Sequence, residues 1–549
     1  MAIDLPLTTP AFAARYRAMG LWKDVSLFQL FEAAAKRYPE KTAVIEHRRS
    51  FTYAQMLDMV ENLACALLDR GIGAGDVVAM QSKNSVYLPV THLACNRIGA
   101  LFIPLHDSWR GPEIEHLLQK SKASAFVSPT VYRDFDHAKM LDDMRATLPD
   151  LKHFITFDTA TETSERFEDL LTSRTRTSGE LDALTPDPDL PASVMLSGGT
   201  TSLSKIGRFS ANDLLVMLNN FTRTNEFSPD DVIAALAPAG TGATGYVFPI
   251  LVPLLHGATS VILERWGDPK VAADLIVDNN CTMAVGIPTQ LTRLAPEVEA
   301  RRPEDFASFR CFFNSGAPLL YDIGVRIEKA MDCVCQAMYG TTDGGVPVVT
   351  SIHDNQQQRL GTVGQVVPGN ECQLWDENLQ PVPKGQRGEV VWRGADKSWG
   401  YLGDDEQTAK AFTADHFYRS GDLGEFDEDG YLRIVGRIKD MILRGGRNIY
   451  PGTLEDAIIK HPAILDVAVA AMPDRELGER ACAFAVLRPG AALTLPELTM
   501  FMEQQDLAIW QLPERLEILP ELPRGPGGKV LKADLTKMVA EKLSMAGAA

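Results

Sequence analysis

Apolar positions between residues 76 and 127 alternate between two periods. Residues 77–80 form a short apolar run, and 86–98 carry apolar side chains at helical spacing. Residues 101–105 return to a run, 112–120 put Ile114, Leu117 and Leu118 on one helical face behind Pro112, and 123–127 close the unit. Strand–helix–strand–helix–strand at this spacing predicts a parallel sheet covered by helices. The alternation recurs between 232 and 313, with strands expected at 261–263, 283–287 and 311–314. Residues 159–192, rich in Thr, Ser, Asp and Pro, read as a long surface connection leading into a strand at 193–196. Beyond 361, short strands separated by Gly, Pro and Asp turns run to about 435. After 440 the pattern predicts a helix at 453–460, strands at 466–472 and 481–487, and helices at 495–504 and 532–543. That is a small α+β domain. No tandem repeat of solenoid or propeller type is visible.

Composition narrows the class. At 549 residues the chain is long enough for two or more domains, and 45 % apolar with 23 % charged residues is the balance of a folded globular protein. A net charge of −18 argues against a general nucleic-acid or anionic-membrane binder and leaves room for a local cationic pocket. Eight scattered cysteines, with Cys333 and Cys335 the closest pair, read as free thiols in a reducing compartment rather than a disulfide framework or zinc site. The most apolar stretch, 246–255, is interrupted by Pro249 and Pro253 and falls well short of the ~20 residues a bilayer span needs. Neither a signal-type apolar run nor a peroxisomal address stands at the ends, so a cytoplasmic location without integral membrane association is expected.

After the strand at 193–196 comes Ser197-Gly198-Gly199-Thr200-Thr201-Ser202-Leu203-Ser204-Lys205. Glycines allow close backbone approach, N–H and hydroxyl groups can donate to phosphate oxygens, and a lysine adds positive charge. It is not a P-loop, because Ser204 precedes the lysine and Ile206 follows it. Downstream stand Met338-Tyr339-Gly340-Thr341-Thr342-Asp343, Tyr418-Arg419-Ser420-Gly421-Asp422-Leu423, Gly436-Arg437-Ile438-Lys439-Asp440 and Pro523-Arg524-Gly525-Pro526-Gly527-Gly528-Lys529. In this order these segments resemble the adenylate-forming superfamily: acyl- and aryl-CoA synthetases, stand-alone aryl-acid adenylating enzymes, peptide-synthetase adenylation domains and luciferases. The likeness runs from about Ser26 to about Lys537.

The resemblance implies an α/β fold. Residues 1–439 would form a large multi-layered N-terminal domain with parallel sheets and a small β-barrel-like part, holding ATP and the acid pocket. Residues 440–549 would form a small mobile α+β lid carrying the catalytic lysine. Ser197, Gly198, Gly199, Thr200, Thr201 and Lys205 would grip the ATP phosphates, although the family's usual glycine and proline are replaced by Ser202 and Ser204. Gly316, Ala317 and Pro318 would lie against the adenine, with Tyr339, followed by Gly340, stacking on it. Thr342 would contact the α-phosphate. Asp343 would be the Mg²⁺ ligand, one methylene shorter than the usual glutamate. Asp422 would accept the ribose hydroxyls, Arg437 would add a second ribose contact, Asp440 would be the hinge and Lys529 the catalytic lysine.

The implied reaction needs these residue types. A carboxylate oxygen attacks the α-phosphorus of ATP, and the spreading phosphoryl charge calls for cations and hydroxyl donors rather than a general base. For the acid pocket, Thr241 and Gly242 replace the His-Asn pair of the enzymes that activate 2-hydroxybenzoates, which points to a roomier, apolar pocket that Met338 helps to line. The reading is an ATP- and Mg²⁺-dependent ligase that makes a coenzyme A thioester of an apolar or cyclic acid, with no nucleic-acid partner. Its rivals are an adenylating enzyme that loads a carrier-protein phosphopantetheine in trans, and a non-catalytic nucleotide-binding homologue.

Overall fold

The computed structural model describes residues 8–172, 174–184, 186–197, 204–505, 507–525 and 529–546. The alternating stretch folds as the strand Val77–Gln81, helix Tyr87–Ile98, strand Leu101–Leu105, helix Gly111–Ser121 and strand Ala125–Pro129. These strands are parallel, with Val78 opposite both Phe102 and Ala125, and they form the centre of a seven-stranded sheet. Every side chain of the two central strands is buried, as expected for a sheet covered on both faces. A nine-stranded sheet contains the parallel run Val334–Thr341, Cys311–Asn314, Met283–Gly286, Val232–Ala235 and Thr259–Ile262. One apolar core joins the two sheets: Val78, Met80 and Phe102 on one side, Ile233, Val285 and Phe313 on the other, with Phe221 and Phe248 between.

Two segments differ from the sequence pattern. The expected surface connection at 159–192 contains the short helices Phe167–Leu170 and Ser178–Asp182, because Phe167 and Leu181 are fully buried anchors within an otherwise polar stretch. The apolar run near 246–255 is a π-helix, Ala243–Leu251, continuing into the α-helix Val252–His256. Wide turns of this kind concentrate at functional sites. Within it the Tyr246 hydroxyl donates to His92 Nδ1 at 2.9 Å, while His92 Nε2–H donates to the Ala192 carbonyl at 3.3 Å.

The N-terminal helix Pro10–Ala18 covers an unusual charged cluster. Asp213, Asp396 and Lys397 are all fully buried. Trp399 Nε1 donates to Asp213, Lys397 Nζ lies 3.6 Å from the centroid of the Trp399 ring, and the Phe12 ring packs against the same indole at 5.7 Å between centroids. Burial pushes both carboxyl groups up to about 7 and the amine down to about 7.

The described chain separates into two compact units. The first comprises the residues up to Cys372 with Trp392–Tyr418, and the second Gln373–Val391 with the residues from Arg419 onward. The β-rich stretch after 361 forms a four-stranded sheet of Asn370–Trp375, Gly388–Gly394, Tyr418–Phe426 and Leu432–Arg437. The C-terminal residues build an antiparallel pair, Ile464–Asp474 with Gly478–Leu487, with Ala468 opposite Phe484. The helices Pro451–Ile458 and Leu495–Glu503 bury Leu454, Ile458 and Leu498 in one core, and Lys532–Ala546 buries Leu535 and Val539 in another. No described helix is long and apolar enough to cross a membrane.

Burial holds the imidazole of His92 down at about 4. Because the unfolded chain binds this proton near pH 6.5 and the folded chain does not, stability is intact above 6.5 and falls towards 4. The loss is about 3 kcal/mol for this residue. Urea unfolding followed across that window should show the decline, and His92→Gln should reduce its slope by this residue's share, leaving that of His137, which burial also holds at about 4. An unchanged slope in the variant would refute the assignment.

Candidate active site

The strand Val334–Thr341 leaves the parallel part of its sheet and turns at Thr342-Asp343-Gly344 into the antiparallel strand Gly345–Val349. Asp343 is only 7 % exposed, and both its oxygens are held: Oδ2 accepts from the Tyr401 hydroxyl at 2.7 Å and Oδ1 from the Tyr418 hydroxyl at 3.0 Å. Burial and the adjacent Asp343 charge push the Tyr401 phenol far above its ordinary value, so it remains a donor. Tyr339, two residues before Thr341, sets its ring edge-on to Trp392 at 5.8 Å. Trp392 donates in turn to the Gly344 carbonyl at 2.7 Å. Gly340 lies between Tyr339 and Thr341, and Thr342 is half-buried.

Lys205, immediately before the strand Ile206–Ser210, reaches the same place. Its Nζ lies 4.8 Å from the centroid of the Tyr401 ring, the ring that holds Asp343. The base of its loop is closed by two hydrogen bonds: Ser197 N–H to the Lys205 carbonyl and Lys205 N–H to Ser197 Oγ, both 3.0 Å. Gly198, Gly199, Thr200 and Thr201 lie outside the described residues, as do Ser202 and Leu203. Gly316, Ala317 and Pro318 are exposed and follow directly from the parallel strand Cys311–Asn314, whose next residue Ser315 hydrogen-bonds the Thr244 hydroxyl. The edge at which parallel strands end is where open α/β sheets bind ligands.

Thr241 sits in a tight turn, its N–H and hydroxyl both donating to the Pro238 carbonyl at 2.9 and 2.6 Å. Gly242 follows with φ +70°, and a Cβ there would stand 2.4 Å from the Thr342 methyl group. The loop that the sequence assigns to the acid pocket therefore touches the residue assigned to the α-phosphate. Met338 is 9 % exposed and belongs to the main apolar core.

In the second unit, Asp422 and Arg437 face each other across an antiparallel pair, and Arg437 Nε lies 2.7 Å from Asp422 Oδ1. At 4 % exposure, Asp422 gains its compensating charge from that arginine. Its backbone is fixed locally: Asp422 N–H donates to Ser420 Oγ, and Glu389 accepts from Gly421 N–H and from the Arg419 guanidinium. Asp440 ends the short 3₁₀ turn Ile438–Asp440 immediately after Arg437. Lys529 is exposed and its carbonyl accepts from Gly525 N–H at 2.9 Å, beside the Arg524–Val530 bridge.

Neither tyrosine is assigned a role by the sequence pattern: Tyr418 stands only as the first residue of the segment that runs to Leu423, and Tyr401 lies in none of the quoted segments. Among the described residues no group of three or more His, Cys, Asp or Glu converges on a possible metal position. Asp343 does suit a magnesium ion bound chiefly by phosphates: a carboxylate has about four lone-pair positions and the two phenols occupy two of them.

A buried carboxylate, a lysine and a glycine-bearing loop at the ends of parallel strands define a nucleotide-binding α/β enzyme. Residues 31–402 match the sequence profile described as AMP-binding enzyme, and residues 453–529 match the AMP-binding enzyme C-terminal domain. The chain belongs to the AMP-binding enzyme family. It is 32 % identical over 542 residues to the medium-chain fatty-acid–CoA ligase of Escherichia coli (strain K12), covering 97 % of this chain and 93 % of that one. It is 29 % identical over 545 residues to the vibriobactin-specific 2,3-dihydroxybenzoate-AMP ligase of Vibrio cholerae serotype O1, covering 98 % of each. The crystal structure of ATP-bound MatB from Rhodopseudomonas palustris superposes with a TM-score of 0.83 at 25 % identity, over 94 % of this chain and 99 % of that one.

Gly242→Ala should lower the melting temperature, because the substitution combines a positive φ with a methyl-to-methyl collision at Thr342, at a cost of about 1–3 kcal/mol. A thermal scan identical to that of the parent protein would show that the loop does not sit against Thr342.

Proposed function

We propose that this enzyme activates an apolar or cyclic carboxylic acid with ATP and passes the acyl group to the thiol of coenzyme A. The observation that carries the reading is the buried Asp343, gripped by Tyr401 and Tyr418 with Lys205 above Tyr401 and Thr342 beside it, in a chain of the AMP-binding family. The acid oxygen attacks the α-phosphorus, the bond to pyrophosphate breaks, and acyl-AMP forms. Since the acid is already ionised, no residue need remove a proton. Thr342 would donate to the α-phosphate, and the loop from Ser197 to Lys205 would hold the β- and γ-phosphates. Mg²⁺, when bound through Asp343, supplies charge neutralisation of the phosphates.

Tyr339 would stack on the adenine near Gly316, Ala317 and Pro318. Asp422 would accept the ribose hydroxyls, with Arg437 both pairing it and reaching the sugar. Lys529 would stabilise the adenylation transition state, and a swing of residues 440–549 about Asp440 would withdraw it before the thiol attacks the mixed anhydride. The resemblance to an E. coli CoA ligase supports coenzyme A as the acceptor. The similarly full-length resemblance to an aryl-acid–AMP ligase supports a second reading, in which a carrier-protein phosphopantetheine takes the acyl group.

Pyrophosphate–ATP exchange over a panel of acids tests the first half-reaction, and silence with every acid would sink both readings. AMP release that requires coenzyme A, rather than a carrier protein, separates the two. Asp343→Asn should cut exchange by about 10²–10³-fold while leaving the circular dichroism spectrum unchanged. Lys529→Ala should abolish exchange yet still convert supplied acyl-AMP to thioester. Survival of both half-reactions in that variant would rule out the lysine's role.

A further inference from the structure

Asp213, Asp396 and Lys397 are fully buried, yet none of them has a part in the chemistry above. Asp213 Oδ2 accepts from the Ser210 N–H at 2.9 Å and from the Ser210 hydroxyl at 2.7 Å, and its Oδ1 accepts from Trp399 Nε1 at 3.0 Å. Lys397 Nζ donates to the Ser398 carbonyl at 3.2 Å and rests its charge on two π faces, Trp399 at 3.6 Å and Phe412 at 5.0 Å. Burying such groups is costly, and apolar residues of similar volume are often as stable. What the cluster secures is the indole of Trp399. Asp213 holds its edge, Lys397 lies on its face, and Phe12 and His416 pack around it with ring centroids at 5.7 and 5.6 Å.

The anchored indole stands two residues before Tyr401, whose hydroxyl holds Asp343. The link between them is short and fixed. Gly400 N–H donates to Ser398 Oγ at 3.3 Å, and the Gly400 carbonyl accepts from Arg208 N–H at 3.4 Å. Gly400 takes φ +130°, and a Cβ there would stand 2.8 Å from the Thr408 methyl group. Tyr401 N–H then donates to Thr408 Oγ1 at 2.9 Å. The other end of the segment packs against the turn that carries Asp343: a Cβ on Gly345 would be 2.5 Å from the Asp396 carbonyl oxygen and 2.9 Å from Lys397 Cα. The segment therefore abuts the Asp343 turn at 396–397 and grips the Asp343 carboxylate at 401, with Trp399 as the anchor between.

We infer that Asp213, Lys397 and Trp399 form a brace that positions the Tyr401 hydroxyl, and through it sets how firmly Asp343 holds magnesium on the nucleotide. All three are positioning residues, acting through Tyr401 rather than on the nucleotide itself. The buried charges are retained for the aim they give one phenol. This rests on the ligase reading above, in which Asp343 is the magnesium ligand.

The test is calorimetric binding of ATP to the full-length protein, without any acid, once in Mg²⁺ and once in EDTA. The parent should bind ATP more tightly in Mg²⁺. Lys397→Met should shrink that metal-dependent gain by about 10-fold, the effect of misaiming one hydrogen bond to a charged group, and leave metal-free ATP affinity within about twofold. Trp399→Phe should do the same, and carries the test if Lys397→Met does not fold. Lys397→Arg keeps the charge and can extend into the adjoining cavity of about 300 Å³, lined in part by Lys397, Trp399, Phe412 and His416, so it should restore most of the gain. In a Tyr401→Phe background, Lys397→Met should cost less than about twofold more, because no hydroxyl is left to aim. Equal losses with and without metal, or costs that simply add in the double variant, would make the cluster structural only and overturn the inference. So would a Lys397→Met protein that binds like the parent. A parent that binds no ATP in either condition refutes the ligase reading itself, and one whose affinity ignores Mg²⁺ refutes the role of Asp343.

Discussion

A carboxylate 7 % exposed to water is several kcal/mol uphill unless its charge is met by well-placed donors, and at Asp343 that demand organises the surroundings. The two phenols that meet it come from Tyr401 and Tyr418, 58 and 75 residues further along the chain. Tyr401 is itself placed by an isolated bridge to Gly207 and by the Leu402 N–H to the Ile206 carbonyl, so the strand that follows Lys205 is drawn to the same point. Tyr418 opens the strand that continues to Asp422. Within the first unit, one buried charge thereby ties together the segments on which phosphate and metal recognition are proposed to depend.

Pairing by hydrogen bonds rather than by a neighbouring cation has a chemical consequence. A salt bridge to Asp343 would neutralise it, whereas two phenol donors leave a full negative charge with open lone pairs. Asp422 is the contrasting case, since Arg437 faces it at 2.7 Å. The two carboxylates suit the partners proposed for them: a cation for the first, and neutral hydroxyl groups for the second.

Much of this was legible in the chain because it is local. The period switch between 76 and 127 specified a parallel sheet, and the glycine-rich segments around Lys205, Asp343 and Asp422 carried their residue types together in a few positions. Tyr401 and Tyr418 were not legible as charge holders, because a buried tyrosine looks the same in sequence whatever its hydroxyl meets. The anchors Phe167 and Leu181 were hidden by the polar residues around them, and periodicity tuned to 3.6 residues does not report a π-helix.

That π-helix, Ala243–Leu251, follows the turn that presents Gly240 and Gly242, and it holds Tyr246 against His92. In a helix closed by i→i+5 bonds, position around the axis is set by how many residues have gone before as much as by which residues they are. Removing one residue would let the segment relax to an ordinary α-helix and rotate every later side chain by about a quarter-turn or more, carrying Tyr246 off its histidine. The position of Tyr246 is thus encoded by count. Substitution can retune its contacts, but a change in length between Gly242 and Val252 cannot do so without dismantling the Tyr246–His92 pairing.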